Sequence, residues 1–376
     1  MLDLRKIRDE IDEIDAKILE LFETRMAKCE QVAEYKISTG KPVLDKQREK
    51  EKIAGLQSMA HGTFNEQAVS EVFSQIMAIS RKRQYQLLVK HNVLRKLDFR
   101  QVETLECGNC KVVYAGVPGA YAHAAMMQYF GEAVDSYNVK TFRQVVEEVE
   151  SGNADYGVLP IENTTAGAVT DAYDSLLEAE VYIVAETDIR INHALLGLPG
   201  AEISDIHTVY SHPQGLLQSA QFLETHPEWN RISTTNTALS AKKVIEMQDK
   251  TCAAIASVTA AKIYGLKVLQ EHLNISDTNT TRFLIISRQN IYRKDAAKVC
   301  ISFELPHESG SLYEMLSHFI YNGVNMCKIE SRPIPGENWR YRFVAVVEGS
   351  VEDTAVVNAL QGIGAEAQHV KILGCY

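Results

Sequence analysis

The stretch LRKIRDEIDEIDAKILELFETRMAKCEQVAEYK, residues 4–36, decides the fold of the first part of the chain. Its apolar positions recur at alternating steps of three and four, namely Leu4, Ile7, Ile11, Ile14, Ile18 and Leu21. This spacing predicts one continuous amphipathic helix, roughly 50 Å long at about 1.5 Å per residue. Two short helices of the same chain cannot easily cover a helix of that length, so we expect a partner chain.

The helical pattern continues after this stretch. Pro42 ends the first helix, Val43 to Asp45 opens a second, and a third runs from about Asn65 to Gln84 and beyond. We therefore predict an all-helical domain over residues 1–90. The mixed charge that follows predicts a helix tail and a linker over residues 91–110.

The periodicity changes at Lys111. Short apolar runs that alternate with helical stretches predict an α/β domain over residues 111–290. The runs begin at Val112, Tyr156, Val181, His207, Cys252 and Phe283. Residues 298–376 follow a different order, strand, helix, strand, strand, helix, strand, which predicts an α+β ferredoxin-like domain. The length of 376 residues fits such a multidomain chain.

The composition excludes several classes of protein. The hydrophobic fraction is 45% and no run reaches the roughly 18 apolar residues that span a bilayer, so no membrane association is expected. The net charge of −10, without basic runs interleaved with aromatic residues, disfavours nucleic acid. The first residues lack the apolar run of a signal peptide, so a cytoplasmic location is the default.

The cysteines and glycines point away from metals and cofactors. Seven scattered cysteines favour reduced thiols, and the lone Cys107–Cys110 pair is interpreted as a linker turn rather than a metal site. No HExxH, GxGxxG, Walker A or GxSxG motif occurs. We expect no metal and no cofactor.

Two cations mark the helical domain as an anion site. Arg25 continues the apolar seam, and Lys36 lies about 20° from it around the helix. Buried cations need counter-charge, either an anionic ligand or an internal salt bridge to Asp45 or Glu49. Arg8 lies roughly 25 Å from Arg25 along the helix, so it either serves the site of a partner chain or is a solvated surface charge.

These residues carry a resemblance to a known family. The set that resembles the active site of the all-helical chorismate mutases, in order and spacing, is Arg8, Arg25, Lys36, Asp45, Arg48, Glu49, Ser80 and Gln84. The resemblance implies an intertwined dimer in which Arg8 reaches the partner's substrate. It implies that Arg8 and Arg25 bind carboxylates and that Lys36 and Gln84 donate to the ether oxygen of chorismate. Asp45, Arg48, Glu49 and Ser80 would orient the ring groups.

Three polar clusters lie at predicted strand ends in the α/β domain, where ligands commonly bind. They are Pro160–Thr164, Ser211–Gln214 and Thr280–Phe283, and each is also a possible turn or helix cap. The turn from Gly116 to Tyr121 joins a strand to a helix, where backbone N–H groups could hold a carboxylate.

Residues 111–288 resemble prephenate dehydratase through the motifs GxxGAY, GVLPIENT, SHPQ, AAIAS and TRF. The resemblance implies two α/β lobes around a cleft, similar to periplasmic binding proteins. It implies that Thr281 is the catalytic hydrogen-bond donor. The other implied substrate contacts are Glu162, Asn163, Thr164, Ser211 and Gln214. Arg282 could face the substrate or brace the fold by pairing with an acid, and the brace is slightly favoured.

Residues 298–376 resemble the ACT domains of regulated dehydratases through Glu330-Ser331-Arg332-Pro333. The family's second signature, Gly-Ala-Leu-Val, is represented by Gly310-Ser311-Leu312-Tyr313, with two of its four residues changed. The resemblance implies an amino-acid effector held by Gly310, Ser311, Leu312, Glu330, Ser331 and Arg332 at a dimer interface. A dimerisation domain that no longer binds a ligand is the alternative.

Together the resemblances imply a bifunctional, cofactor-free enzyme of phenylalanine biosynthesis. It would convert chorismate to prephenate and prephenate to phenylpyruvate as a homodimer or larger homo-oligomer inhibited by phenylalanine. Two alternatives stay open at this point. One is a monofunctional dehydratase with a non-catalytic helical dimerisation domain, and the other is a non-enzymatic amino-acid sensor.

Overall fold

The computed structural model describes residues 3–91, 97–106, 108–276, 278–308 and 310–376. It divides into two compact units, and the chain enters the first of them twice. The first unit contains Met1–Asp98 and Ile301–Lys371, and the second contains Phe99–Cys300 and Ile372–Tyr376. No helix in the described ranges is long and apolar enough to cross a membrane.

The first three elements are helices, and strands begin with Arg100. The helices are α1 (Leu4–Thr39), α2 (Lys46–Gln57), α3 (Thr63–Lys90), α4 (Tyr121–Phe130), α5 (Phe142–Glu150), α6 (Thr170–Glu178), α7 (Pro213–Gln218), α8 (Ala220–Glu224), α9 (Thr237–Met247), α10 (Val258–Tyr264), α11 (Ser311–Tyr321) and α12 (Thr354–Glu366). The strands are β1 (Arg100–Val102), β2 (Lys111–Ala115), β3 (Asp135–Val139), β4 (Tyr156–Asn163), β5 (Gly167–Ala168), β6 (Tyr182–Arg190), β7 (His193–Gly197), β8 (Thr208–Ser211), β9 (Asn230–Ser233), β10 (Cys252–Ser257), β11 (Lys267–Gln270), β12 (Thr280–Ser287), β13 (Ile291–Arg293), β14 (Lys298–Glu304), β15 (Met326–Pro333), β16 (Tyr341–Glu348) and β17 (Gln368–Cys375).

The first helix has the length that its sequence pattern predicts. It begins after Asp3, whose carboxylate accepts from the Arg5 N–H, and it ends at Gly40, a left-handed residue with φ 68°. Gly40 therefore ends the helix before Pro42 is reached. Its apolar stripe is exposed over much of its length, between 49% for Ile11 and 70% for Leu21. Within the described part of the chain, nothing covers this stripe fully.

The C-terminal segment of the first unit has the βαββαβ order predicted from the sequence. Its elements are β14, α11, β15, β16, α12 and β17, and its strands lie in the order β15-β16-β14-β17. This leaves β15 at the edge of the sheet, and the side chains of β15 alternate between exposed and half-buried. Both features are typical of an edge strand that is available for pairing.

Helix α3 packs against α11 and α12, which joins the first and last predicted domains in one unit. The Tyr85 and His318 rings meet edge to face with centroids 6.2 Å apart. The buried Lys82 ammonium lies 4.5 Å from the Tyr321 ring centroid, and burial lowers the pKa of Lys82 to about 8. From the sequence, residues 1–90 and 298–376 are predicted as separate domains. A cation such as Lys82 gives no sign that its helix face is buried.

The second unit contains two lobes. One sheet has the strand order β6-β12-β4-β2-β3, and the other is five-stranded with the order β11-β7-β10-β8-β9. The chain passes from the first sheet to the second between β6 and β7 and returns between β11 and β12. The predicted two-lobed α/β architecture is therefore present.

The predicted linker over residues 91–110 differs from the structure. Arg100–Val102 forms β1, which pairs in parallel with β13, so part of this stretch belongs to the second unit. A strand of three residues is too short to show a periodicity in the sequence. The exposed edge strand β9 is missed for a related reason, because all of its residues are exposed and no apolar alternation is present. Cys107 of the lone cysteine pair lies outside the described residues.

Candidate functional sites

A cavity of about 490 Å³ lies among α1, α2 and α3. It is lined by most of the polar residues that the sequence analysis selects in this domain. These are Arg25, Lys36, Asp45, Arg48, Glu49, Ser80 and Gln84. Arg8 is not among the lining residues of this chain.

Neutral groups hold two of the cations in this cavity. Arg25 Nη1 lies 2.5 Å from Ser80 Oγ, and Lys36 Nζ donates to the Val43 carbonyl at 2.6 Å. Val43 lies between α1 and α2, where Asp45 caps α2 by accepting from the Arg48 N–H. The turn that starts α2 therefore also fixes the position of Lys36.

The cavity retains unpaired positive charge. In the described part of the chain, Arg25, Lys36 and Arg48 form no ion pair, so the internal salt bridge considered above is not present. Glu49 pairs instead with Arg81 at 2.5 Å. Burial lowers the pKa of Lys36 against the opposing effect of Asp45 and Glu49. Cations without a carboxylate partner can supply charge-assisted hydrogen bonds to an anionic ligand.

Gln84 adds a buried polar group to the same wall. Gln84 is 6% exposed, and its Nε2 donates to the Ser80 carbonyl at 3.3 Å. Its Oε1 has no hydrogen-bond partner among the described residues. A buried amide that is only partly satisfied is stabilised when a ligand completes its hydrogen bonds.

A second cavity of about 290 Å³ lies between the two lobes of the second unit. Of the residues selected from the sequence, Asn163, Gln214 and Thr281 line it. Thr281 is 8% exposed, and its Oγ1 accepts from Asn163 Nδ2 at 2.8 Å. Because Thr281 Oγ1 accepts a hydrogen bond from Asn163, its own O–H proton is left to donate to another group. In the described ranges, the Thr281 O–H has no acceptor.

The other selected residues of this unit have structural contacts. Ser211 is fully buried and donates to the Ile255 carbonyl at 2.7 Å. Thr164 is exposed, and its hydroxyl joins the turn to the start of β12 through the Thr278 carbonyl and the Thr280 N–H. Glu162 lies on β4 opposite Arg282. These three are not among the lining residues of the cavity.

Arg282 braces the fold. Its guanidinium donates to both carboxylate oxygens of Asp188 on the neighbouring strand, each at 2.9 Å. Hydrogen bonding to Arg282 is the main cause of the lowered pKa of Asp188. Of the two interpretations of Arg282, the structure therefore supports the brace.

The glycine turn before α4 uses its N–H groups internally. Gly116 N donates to the Val139 carbonyl, Ala120 N to the Val117 carbonyl, and Gly119 N to His123 Nδ1. The carboxylate-binding role considered for this turn is thus not supported by these three donors. Gly119 has φ 87°, and a Cβ at this position would lie 2.9 Å from Ala260 Cα, so only glycine fits here. This close approach of the turn to Ala260 positions Tyr121, the first residue of α4, at the cleft.

Side chains missed by the sequence analysis connect the two lobes across the cleft. Tyr121 Oη lies 3.1 Å from His193 Nδ1, and His193 Nε2 lies 2.9 Å from Gln218 Oε1. Gln218 Nε2 then donates to Thr165 Oγ1 at 3.0 Å, and the Thr165 hydroxyl donates to Asn163 Oδ1 at 2.7 Å. No motif marks these residues in one sequence, because each is a single polar side chain from a different element.

The direction of the donors is fixed from His193 onward. Gln218 Oε1 can only accept, so His193 Nε2 carries the proton and His193 Nδ1 is an acceptor. The one hydroxyl proton of Tyr121 is shared between His193 Nδ1 and the Asn192 carbonyl, each 3.1 Å from Tyr121 Oη. Burial lowers the pKa of His193, although Gln218 opposes the effect, and the imidazole is neutral. From His193 onward, every link therefore donates toward Thr281. We call this the donor chain, and it consists of Tyr121, His193, Gln218, Thr165, Asn163 and Thr281.

The residues selected for effector binding lie on two elements of the first unit. Gly310, with φ 85°, precedes α11, where Ser311 and Leu312 form the first turn. Glu330, Ser331 and Arg332 lie on the edge strand β15. Ser309, within the predicted effector loop, lies outside the described residues.

Comparison with known proteins identifies the class of enzyme to which both cavities belong. Residues 7–85, around the first cavity, match the model of chorismate mutase type II, and residues 112–291, around the second, match that of prephenate dehydratase. The chain thus combines a chorismate mutase domain with a prephenate dehydratase domain.

Relatives extend this match to the whole chain. A bifunctional chorismate mutase/prephenate dehydratase from Buchnera aphidicola (subsp. Schizaphis graminum) is 33% identical over 100% of this chain and 96% of its own length. Prephenate dehydratase from Arthrobacter aurescens, in complex with L-Phe, is 30% identical with a TM-score of 0.67 over 71% of this chain and 89% of its own. GqqA, described as a novel type of quorum quenching acylase, is 31% identical with a TM-score of 0.65 over 71% and 97%.

The chain belongs to the family of bifunctional chorismate mutase/prephenate dehydratases. This membership supports the bifunctional prediction over the monofunctional dehydratase and the non-enzymatic sensor.

The donor chain generates a prediction for the dehydratase. Gln218→Leu removes the link between His193 and Thr165 at similar volume, and we expect dehydratase kcat to fall about tenfold because the donors polarise one another. Steady-state assays with prephenate measure this change. The control is Gln128→Leu, which removes a 2.8 Å hydrogen bond to the Thr187 hydroxyl outside the donor chain. Equal activity in the two variants would contradict the role of the donor chain.

Proposed function

We propose that the cavity among α1, α2 and α3 binds chorismate and that the cavity between the lobes binds prephenate. The observation that carries the first assignment is the set of unpaired cations that lines its wall. The observation that carries the second assignment is the orientation of the Thr281 hydroxyl. Its oxygen accepts from Asn163 Nδ2 at 2.8 Å, which leaves its O–H to donate to a ligand.

The mutase reaction requires no nucleophile, because the Claisen rearrangement of chorismate is unimolecular. The protein has to hold the compact conformer and stabilise negative charge that develops on the ether oxygen. Arg25 binds one carboxylate, and Lys36 and a Gln84 N–H donate to the ether oxygen. Asp45, Arg48, Glu49 and Ser80 orient the ring groups.

The dehydratase reaction converts prephenate to phenylpyruvate, carbon dioxide and water. The C–C bond to the ring carboxylate breaks, its electrons complete the aromatic ring, and the C–O bond to the ring hydroxyl breaks. The departing hydroxide needs a hydrogen-bond donor and finally a proton. The Thr281 O–H donates to this oxygen, and Gln214 on the facing lobe contacts the substrate.

The dehydratase cavity is well suited to a donor role for Thr281. A threonine hydroxyl is a weak acid, but a chain of hydrogen bonds that all point the same way strengthens its last donor. The neutral His193 starts this run of donors, because its Nε2 donates to Gln218. We therefore assign to Thr281 the stabilisation of the leaving hydroxide rather than full proton transfer in advance of C–O cleavage.

A second copy of the chain completes the mutase site. The exposed apolar stripe of α1 needs a cover, and Arg8 lies on this helix but outside the cavity of its own chain. An intertwined homodimer satisfies both conditions, because α1 of the partner covers the stripe and brings Arg8 of the partner to the second carboxylate of chorismate. The dimer is the smallest assembly that does so.

The βαββαβ segment of residues 298–376 acts as an ACT domain that binds phenylalanine. Support comes from the prephenate dehydratase of Arthrobacter aurescens, whose structure is a complex with L-Phe. The six effector residues named above lie on two elements, the start of α11 and the edge strand β15, and pairing of two copies through β15 brings these elements into one interface. Bound phenylalanine inhibits dehydration by favouring a state with a less competent cleft.

The two activities are separable by mutation. Arg25→Ala removes a carboxylate ligand of the mutase site, so we expect chorismate consumption to be lost while prephenate dehydration stays within about twofold. Thr281→Val, of nearly equal shape but without the hydroxyl, gives the opposite result. Both rates are measured by ultraviolet assays on the full chain. If Arg25→Ala retains mutase turnover within about threefold, the assignment of the first cavity is wrong.

Arg8 acts on the site of the partner subunit. Arg8→Ala and Arg25→Ala subunits are each inactive as mutases, but heterodimers of the two contain one intact site, so co-expression restores up to about half of wild-type activity per heterodimer. Differently tagged subunits and tandem purification verify the heterodimer. Verified heterodimers without mutase activity would exclude the intertwined arrangement.

Phenylalanine binds the ACT domain at concentrations that inhibit dehydration. Calorimetric titration should show binding to wild type and a loss of affinity of at least about tenfold in Gly310→Val, because valine is strained at a φ of 85° and would distort the effector loop. The control is Gly336→Val, since Gly336 has a similar φ of 80° and lies in the β15–β16 turn. Tyrosine serves as the competing ligand. Absence of both binding heat and inhibition at millimolar phenylalanine would leave this domain a structural role only.

A further inference from the structure

Arg81 connects the mutase cavity to the C-terminal domain within the first unit. This arginine lies on α3 and is 6% exposed. Its Nη1 lies 2.5 Å from Glu49 Oε2, and its Nε lies 2.8 Å from Glu366 Oε1. Burial alone would lower the pKa of Arg81, but the two carboxylates raise it above its ordinary value, so the side chain is a permanent cation.

The two carboxylates belong to different functional parts. Glu49 lies on α2 and lines the mutase cavity. Glu366 is the last residue of α12, its side chain is 10% exposed, and its Oε2 lies 3.2 Å from Nε2 of the buried His318 on α11. Burial raises the pKa of Glu366, but His318 and Arg81 outweigh it and hold the pKa at about 2. One guanidinium is thus held by Glu49 of the first cavity and by Glu366 of α12, and His318 of α11 contacts the same Glu366 carboxylate.

This geometry constrains the orientation of Glu49. A buried ion pair that loses one partner leaves an uncompensated charge, so the two contacts of Arg81 are energetically linked. Displacement of α12 would pull Arg81 from Glu49 or break the ion pair between Arg81 and Glu366. Ser80 and Gln84 on the same helix line the cavity, whereas Lys82 and Tyr85 contact α11, so Arg81 alone among these side chains forms ion pairs on both sides of α3.

We propose that Arg81 is a positioning residue of the mutase site, and that its ion pair with Glu366 makes chorismate binding depend on the C-terminal domain. The inference rests on the proposed function of the first cavity. Arg81 also lines the cavity, but its guanidinium is already held by Glu49 and Glu366, so we infer that it acts through Glu49. A shift of α12 is therefore transmitted to Glu49 in the mutase site through the two ion pairs of Arg81. The main chain of α1 does not have to move.

The experiment measures mutase kinetics of the full-length protein. Glu49 orients ring groups of chorismate, so Arg81→Gln should raise the mutase KM about tenfold with kcat within about threefold. Glu366→Gln should raise KM about threefold in wild type, and by less than about 1.5-fold in the Arg81→Gln background, because its effect passes through Arg81. A merely structural role would lower the folded fraction, and hence apparent kcat, at unchanged KM.

The matched control is Glu304→Gln. Glu304 is 3% exposed and pairs with Arg342 at 2.7 Å in the same domain, away from α3, so the mutase KM should stay within about 1.5-fold of wild type. The folded fraction of each variant is measured by circular dichroism and thermal unfolding, because the substituted residues lie in the first unit and the dehydratase cavity lies in the second.

The outcomes separate this inference from the proposed function. If Arg25→Ala abolishes the mutase while Arg81→Gln and Glu366→Gln leave KM unchanged, the first cavity is correctly assigned and the role of Arg81 is wrong. Equal effects of Glu366→Gln in the presence and absence of Arg81 would also overturn the coupling. If Arg25→Ala leaves the mutase active, the failure lies in the proposed function.

Discussion

Helix α3 has to satisfy buried polar side chains on two faces at once. A polar group buried without a partner costs roughly 1–3 kcal/mol, and a charge costs more, so the partners of these side chains determine what can pack against the helix. On one face Ser80 and Gln84 meet the mutase cavity, and on the other Lys82 meets the ring of Tyr321. The mutase domain and the C-terminal segment form one unit because the buried polar side chains of α3 have their partners in both.

Under the proposed assignment, the two cavities bind an anionic substrate in different ways. In the first, Arg25 and Lys36 are held by a hydroxyl and a carbonyl, which orient the cations without neutralising them. In the second, the wall is mostly apolar or neutral, and Thr281 is the end of a chain of neutral donors. A rearrangement that develops charge on an ether oxygen needs cations nearby. The loss of a hydroxyl from a ring needs one well-directed donor.

Local spacing predicts the elements and points to Arg25 and Lys36, whereas the other predicted residues that line the first cavity come from the resemblance to the chorismate mutases. The steps of three and four identify α1, and Asp45 precedes α2 as a helix cap would. The contacts of Arg81 could not be predicted, since Glu366 lies 285 residues away and no pattern relates the two. The run Arg81-Lys82-Arg83 was no usable signal either, because nothing in the sequence distinguishes the buried Arg81 and Lys82 from the exposed Arg83. His193 and Gln218 gave no such signal.

The donor chain also connects dehydratase chemistry to the position of the lobes. Two of its links cross the cleft, from Tyr121 to His193 and from Gln218 to Thr165, while the last link, from Asn163 to Thr281, lies within one sheet. An opened cleft would break the crossing links and leave Thr281 positioned but not polarised. Closure of the lobes over prephenate would restore them and exclude water from the departing hydroxide. An effector that favours an open cleft could therefore inhibit dehydration without touching Thr281 or its substrate.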